Sequence, residues 1–485
     1  MSLNLIADPW IPVRCKDGSR KVIAPWQMAE PSVLRPDWPR ADLNLGCLEF
    51  LIGLVYLADP PADVEDWDER RSGDPERLRE LLAPYAPAFE LLGDGPRFLQ
   101  DLDLLEGAPN SVDMLFIDSA GGNTARNNAD LMVHRGRYGA LDPETAAMAL
   151  FTFQAHAPSG GAGNRTSMRG GGPLVTLADP RDGLWALVWV NVPEGLWGRF
   201  EDLPWMRPTQ VSDNKWETLP PDGATFGIEA FFGMPRRLRL VAEGGSVAGV
   251  IQKPWGTNYA LWKHPLSPYY RLKPGEPWLP KHPRAGRFGY RNWLGVTMKS
   301  KADELTELAL CLRDGRNRGA EAVIVGGWAM DNMKPRDFVW SEQPLVDLSP
   351  EAEDRLIGMI LAGEAASIAL RAALAPVLAE GAAREAEREA FFQATEPAFL
   401  RHLQALALGT DPRTDWLEQL RRQALDQFGA LAFSGLDRRP TREIEAIVAA
   451  HRNLQFSFLG YGKFGGDMFD ALGLDRPARK KGKAA

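Results

Sequence analysis

The sequence predicts an α+β protein: a large, irregular mixed α/β domain over residues 1–345, followed by an antiparallel four-helix bundle over 349–470. Three observations carry this. Proline and glycine recur every few residues as far as about 340, which favours short elements joined by many loops. Composition changes near 349, and four amphipathic patterns follow at about 350–375, 382–407, 413–432 and 441–456 with short connections. The 485 residues are 45% apolar and 25% charged, ordinary globular usage that excludes a disordered chain, a fibre and a small disulfide scaffold.

The elements follow in order. Ile11, Val13 and Cys15 alternate with polar partners, Asp17-Gly18 supplies turn chemistry and Val22-Ile23 restart the strand, so the first 30 residues predict a hairpin. Helical patterns come at about 42–58 and 74–92. Leu184 to Val192 is nearly continuous in large apolar residues and predicts a strand buried on both faces. Ser349-Pro350 supplies a capping hydroxyl and a proline at the first helical position. In the third C-terminal pattern Leu417, Leu420, Ala424, Phe428 and Leu431 are spaced by three and four. Ile444, Ile447 or Val448, His451 and Leu454 do the same in the fourth. The tail at 476–485 carries five basic residues in ten and predicts disorder.

A net charge of −8, from 56 Lys+Arg against 64 Asp+Glu, gives no overall sign of nucleic-acid binding, so any such role needs a local basic patch. Cys15, Cys47 and Cys311 are far apart and form no CxxC, which points to a reducing compartment. No basic region followed by an apolar stretch opens the chain. Leu356 to Leu378, broken by Glu364, Arg371 and Pro376, reads as too polar for a membrane span. A cytoplasmic protein is expected. Motifs for phosphate-loop, zinc-protease, metal-phosphohydrolase and serine-hydrolase chemistry are absent, and the six histidines lie at no metal-ligand spacing, so neither a metal nor another cofactor is expected. The one GxGxxG, Gly460 to Gly465, follows a helix rather than a strand and reads as a flexible exit from the last bundle helix.

Three stretches are more informative. Pro158 to Pro173 holds six glycines in sixteen residues with Arg165 and Arg169 among them; it could offer N–H groups to an anion, or be a tight loop into the strand Leu174–Leu177. Tyr269 to Gly295 holds six basic residues against the single Glu276, interleaved with Tyr269, Tyr270, Trp278, Phe288, Tyr290 and Trp293. That is the local footprint of phosphate neutralisation and stacking, or an ordinary solvated loop with an aromatic mini-core. Gly326 to Arg336 follows the apolar strand Ala322–Val325 and reads as a loop at a strand end.

On these stretches the chain resembles the CasA family, the large subunit of the type I-E CRISPR surveillance complex called Cascade. Asn4 to Val13 is similar to the family's N-terminus, Thr166 to Leu177 to its loop-to-strand signature, and Gly327-Trp-Ala-Met-Asp-Asn-Met-Lys334 to its internal motif. The resemblance implies a subunit without catalytic activity that reads the protospacer-adjacent motif (PAM) in duplex DNA from the minor groove, wedges the strands apart to start the R-loop and supports recruitment of a helicase-nuclease. Its implied partners are target DNA, the guide crRNA and the backbone, 5′-end-capping and small subunits. The family's glycine loop corresponds to Ser159 with Gly160, Gly161, Ala162 and Gly163, and its minor-groove lysine to Lys273 or, with a slip, Arg271. The wedge loop corresponds to Asp331, Asn332 and Met333, with Lys334 beside it; Asn332 is a shorter amide than the glutamine of some relatives. A PAM-sensing loop corresponds to about Asn123 through Arg137, with Arg126, Asn127 and Asn128. The cysteine cluster of some relatives is absent before Arg237, so no zinc is implied. Two other classes stay open: a nucleic-acid hydrolase with its own active site, and a purely structural scaffold.

Overall fold

The computed structural model describes residues 3–119, 121–128, 133–161, 163–196, 198–301 and 304–476. The chain forms two compact units: Met1–Arg287 with Gly295–Leu345, and Phe288–Leu294 with Val346–Ala485.

The first unit opens with β1 (Ile11–Cys15), β2 (Arg20–Ile23) and β3 (Val33–Pro36), then α1 (Ala41–Ala58), α2 (Val64–Glu69), α3 (Pro75–Leu82), α4 (Gly122–Arg126) and α5 (Pro143–His156). Next come β4 (Val175–Asp179), α6 (Leu184–Val190), α7 (Ile228–Phe232), β5 (Arg237–Glu243) and β6 (Ser246–Lys253). The unit closes with the short β7 (Tyr269–Tyr270), β8 (Leu279–Pro280) and β9 (Thr306–Glu307), then α8 (Leu310–Gly315), β10 (Ala322–Asp331) and β11 (Lys334–Pro344). Four small sheets result, in strand order β2-β1-β3, β11-β10-β4, β5-β6 and β8-β7-β9. All their pairings are antiparallel.

The N-terminal hairpin forms where the alternation places it, with Val13 opposite Lys21. Gly18 supplies the positive φ its turn needs, and the Asp17 carboxylate accepts the Ser19 N–H at 2.9 Å. The core is built on α1, buried from Asp42 to Ala58 except at Asn44. The Phe50 ring lies 5.5 Å from Trp10 and Phe151, 5.8 Å from Phe98 and 6.2 Å from Phe232, mostly edge to face.

Several expectations need correction. Leu184 to Val190 is a helix, not a strand. A short run that is apolar on every side carries no period, and here Gly183 (φ +98°) and the capping Asn191, whose amide donates to Leu187 O at 2.8 Å and Ala178 O at 2.7 Å, bound one buried helix. The helix expected over 74–92 stops at Leu82 and continues only as a 3-10 turn to Ala88, because Pro84 and Pro87 cannot donate to an α-helical ladder. Gly326 to Arg336 is no loop after a short strand. β10 runs on to Asp331 and turns back through Asn332 and Met333 into β11, with Gly326 opposite Trp340.

The second unit holds α9 (Pro350–Ala373), α10 (Ala382–Ala407), α11 (Arg413–Ala432), α12 (Thr441–Ser457) and α13 (Gly462–Leu472). Ser349 caps α9 by accepting the Ala352 N–H at 3.3 Å. α9 is not amphipathic as expected. It is buried around most of its circumference and touches the other four helices, the pattern of a central helix. In α11 the buried face is Trp416, Leu420, Ala424, Phe428 and Ala432, with Leu417 and Leu431 at its margin. The glycines after α12 make no flexible exit. They turn the chain into α13, where a Cβ at Gly465 would stand 2.5 Å from Ser457 O.

Both α1 and α9 are long and apolar enough to cross a membrane, contrary to the expectation for the second. Their apolar windows are 89% and 72% buried inside the protein, as in core helices. Cys15, Cys47 and Cys311 are free and buried. Of the basic tail only Arg476 is described, paired with Asp470; 477–485 lie outside the described residues.

Candidate nucleic-acid interface

The glycine-rich stretch, the stretch Gly326 to Arg336, and the basic stretch apart from Phe288–Leu294 belong to the first unit, which brings them together. The glycine-rich segment leaves α5, turns at Gly160–Asn164 and enters β4. Gly160 N–H donates to Asn164 O at 3.2 Å and Asn164 N–H to Gly161 O at 2.8 Å, with Gly161 at φ +67° and Gly163 at φ +79°. Glycine adopts such angles without strain. Ala162 lies outside the described residues.

The second half of this segment lies against the β10–β11 hairpin. A Cβ at Gly172 would stand 2.2 Å from Trp328 O, and one at Gly327 2.2 Å from Pro173 O, so the two backbones touch where neither can carry a side chain. At Gly171 the nearest atoms would include the Met333 sulfur at 3.3 Å. Asn332 and Met333 both have positive φ, +48° and +60°, the two-residue turn that matches the twist of a hairpin. Asn accepts this conformation readily; a flexible, bulky Met does so at a cost. Asn332, Met333 and Lys334 are exposed at the tip. Asp331 is occupied: its carboxylate accepts the Asn332 amide at 2.9 Å and pairs with Arg336 at 2.8 Å.

The basic segment packs beside both. Leu174 N–H donates to Lys281 O at 2.9 Å, the Gly170 Cβ position lies 2.9 Å from the His282 ring, and Gly286 N–H donates to Asp337 at 3.0 Å. Burial pushes the Lys281 ammonium down to about 8. Arg271 is committed, its Nε donating to Glu304 O at 2.6 Å and its guanidinium lying 4.6 Å from the Trp278 centroid. Lys273 is exposed and has no ion pair among the described residues. The segment is not one continuous loop, because Phe288–Leu294 belongs to the second unit. There Tyr290 is buried between Phe392, Phe399 and Trp416, and its hydroxyl meets Thr395 Oγ1 at 2.8 Å.

Arg126 ends α4 and Asn127 and Asn128 follow it, all three exposed. Asn128, at φ +48°, accepts Arg135 at 3.1 Å, and Arg137 is fixed by a bidentate pair with Asp118 at 2.8 and 2.9 Å. The structure thus joins the glycine segment, the hairpin tip and the basic segment, while Arg126–Asn128 belong to a surface element of their own.

Several arginines of this region are committed to contacts within the fold. Arg169 is turned inward, forming an ion pair with Glu49 of α1 at 2.7 Å and donating to Ser267 at 3.1 Å; Glu49 also meets His156 at 2.6 Å. Burial alone would raise the Glu49 carboxyl, but Arg169 and His156 hold it well below the usual range. His264, 4.0 Å from Glu49, accepts the Leu266 N–H on Nδ1 and is pushed far down, first by burial and then by Arg169, so it is neutral. Arg165 is spent on Ser212, at 2.9 and 3.0 Å. Trp255, at φ +65°, presses its ring on Gly163 and donates to Gly163 O at 2.8 Å. Arg236 binds the glycine loop from within. No periodicity marks an inward arginine, so these could not be read from spacing.

Fold and site together define a two-unit α/β protein whose glycine-rich segment, hairpin tip and part of a basic segment meet in the first unit; among the described residues no His/Cys/Asp/Glu group could hold a metal. The chain belongs to the CRISPR-associated protein Cse1 family, whose model matches residues 4–427. Solved structures of similar fold include CasA (Cse1) from Thermus thermophilus, 20% identical, covering 94% of this chain and 99% of that one with a TM-score of 0.72. Cse1 from Acidimicrobium ferrooxidans is 19% identical, covering 98% and 99%, with a TM-score of 0.70. A chain of a CRISPR RNA-guided surveillance complex is 16% identical, covering 93% and 99%, with a TM-score of 0.66.

Proposed function

We propose that this chain is the non-catalytic large subunit of a cytoplasmic type I-E CRISPR Cascade ribonucleoprotein, and that it reads the PAM in duplex DNA from the minor groove. The observation that carries this is the convergence of the glycine loop, the basic segment and the hairpin tip in one unit. The minor groove separates A·T from G·C but little else, so close backbone, one lysine and one amide suit a permissive reader. Gly160, Gly161 and Gly163 let the backbone approach; Lys273 rather than the committed Arg271 supplies the cation. Asn332 and Met333 form the wedge, Lys334 flanks it, and Asp331 holds Arg336 and the Asn332 amide in place. A side chain inserted between base steps costs a few kcal/mol of unstacking, offset by contacts to the opened strands. A hairpin tip is a firm support for such a wedge. Ala162 is assigned to DNA contact with these glycines, and Arg126, Asn127 and Asn128 to PAM sensing near the guide. Guide pairing then reads the sequence, as in the RNA-guided case of another effector. The C-terminal helices are taken as a bundle that faces neighbouring subunits and the displaced strand, with the helicase-nuclease recruited after target binding.

The test is duplex binding by complex carrying Lys273→Ala or Asn332→Ala. The expected result is intact assembly with affinity about three- to tenfold weaker, and for Lys273→Ala a salt slope smaller by about one. Loss of assembly with no separate loss of DNA binding would make these residues structural.

A further inference from the structure

We propose that Arg236 is the positioning residue of the glycine loop, and that its buried, uncompensated charge makes the loop N–H groups a site for one phosphate of the DNA backbone. This rests on the DNA-reading role proposed above.

Arg236 is 4% exposed. Its guanidinium spans the loop from beneath: Nη2 donates to Pro158 O at the start and Nε to Arg165 O at the end. Between these anchors, Nη1 lies 3.0 Å from where a Cβ at Gly160 would stand. A side chain at Gly160 would meet the guanidinium, which gives that glycine a reason beyond its turn.

Arg236 itself is held rigidly. Its N–H donates to the Gln154 side-chain oxygen at 3.1 Å, the Gln154 amide returns a bond to Arg236 O at 3.0 Å, and the guanidinium lies 5.2 Å from the Phe153 ring centroid. Its neighbour Arg237 pairs with Asp101 at 2.6 Å, as a partly buried arginine ordinarily does. Arg236 has no carboxylate within 4.0 Å among the described residues; carbonyl oxygens and a ring face are all it meets. Burial lowers it to about 10, so it is still charged at neutral pH.

An unpaired buried cation is costly, and such costs persist where function uses them. Above it, Gly160 and Gly161 are exposed, and the Gly161 and Gly163 N–H groups donate no hydrogen bond among the described residues. Free N–H groups of a glycine turn beside a positive charge are donors open to an anion. A duplex groove brings phosphates to such a loop as its backbone approaches.

The test measures duplex affinity against salt for complex carrying Arg236→Met, Arg236→Lys and, as a reference, Lys273→Ala. Arg236→Met removes charge and fork; Arg236→Lys keeps the charge. The expected result is about tenfold weaker binding and a salt slope smaller by about 0.9 for Met, and an unchanged slope with a smaller loss for Lys. Equal losses for Met and Lys with unchanged slope would make Arg236 merely structural and overturn the inference while Lys273→Ala still weakens binding. If Lys273→Ala has no effect either, the DNA-reading role itself fails. Should Arg236→Met not assemble, Gly161→Asp against Gly161→Asn decides. A Cβ there meets nothing within 4 Å, and the two differ by one charge. Asp should bind about tenfold more weakly than Asn, and equality overturns the phosphate site.

Discussion

At the scale of single residues, the strongest constraint is the buried group Glu49, His156, Arg169 and His264, which ties the glycine segment to α1. Removing one member of a buried pair leaves the other uncompensated, which typically costs about 3–5 kcal/mol, so Glu49→Ala should sharply lower the melting temperature. The same group sets a pH dependence. His264 has a folded value far below its ordinary 6.5, so below pH 6.5 the unfolded chain binds a proton that the folded chain refuses. Stability from this group is complete above 6.5 and falls by about 1.4 kcal/mol per unit as pH drops. Glu49, also lowered, adds a second loss below its ordinary 4.5. Thermal melting between pH 7.5 and 5 checks the first; a flat profile would mean His264 is protonated in the fold. None of this was legible from spacing, since Arg169 stands in a basic, glycine-rich run that reads equally well as solvent-facing.

At the scale of elements, the sequence was most legible where a period or a cap exists. The N-terminal hairpin and the helices at 413–432 and 441–457 lie where alternation and three-four spacing put them. Leu184–Val190 reads as a strand in the sequence because a uniformly apolar run has no period to mark it as a helix. The β10–β11 hairpin is hidden in the sequence because Asn332-Met333 lacks the glycine that usually announces its turn. The glycines at 172 and 327 were visible, but their backbone contact was not. Gly327 (φ +152°) faces Pro173 O where any Cβ would stand 2.2 Å away, so Gly327→Ala should destabilise the first unit by about 3 kcal/mol or more. A denaturant midpoint within about 0.5 kcal/mol of wild type would show that the contact gives way easily.

At the scale of the molecule, the change of composition near 349 marks the start of the helical unit, but a seven-residue piece from the basic segment was invisible to it. Phe288–Leu294 completes that unit by placing Tyr290, 1% exposed, against Phe399 at a centroid distance of 4.2 Å. Tyr290→Ala should cost the helical unit about 3–5 kcal/mol, the range for emptying a buried aromatic site. Hydrogen exchange in α10 and α11 would register it as faster opening, and unchanged protection would remove the insertion from the account. The overall acidity hid the basic stretch, which only local counting recovers.

If this chain reads the PAM, tight binding of duplex DNA depends on both the chain and the PAM. A gel shift with guide-loaded complex, with or without the chain and with PAM intact or scrambled, tests it most directly. Tight binding only when both the chain and an intact PAM are present is the predicted result; tight binding without the chain, or indifferent to the PAM, would contradict it.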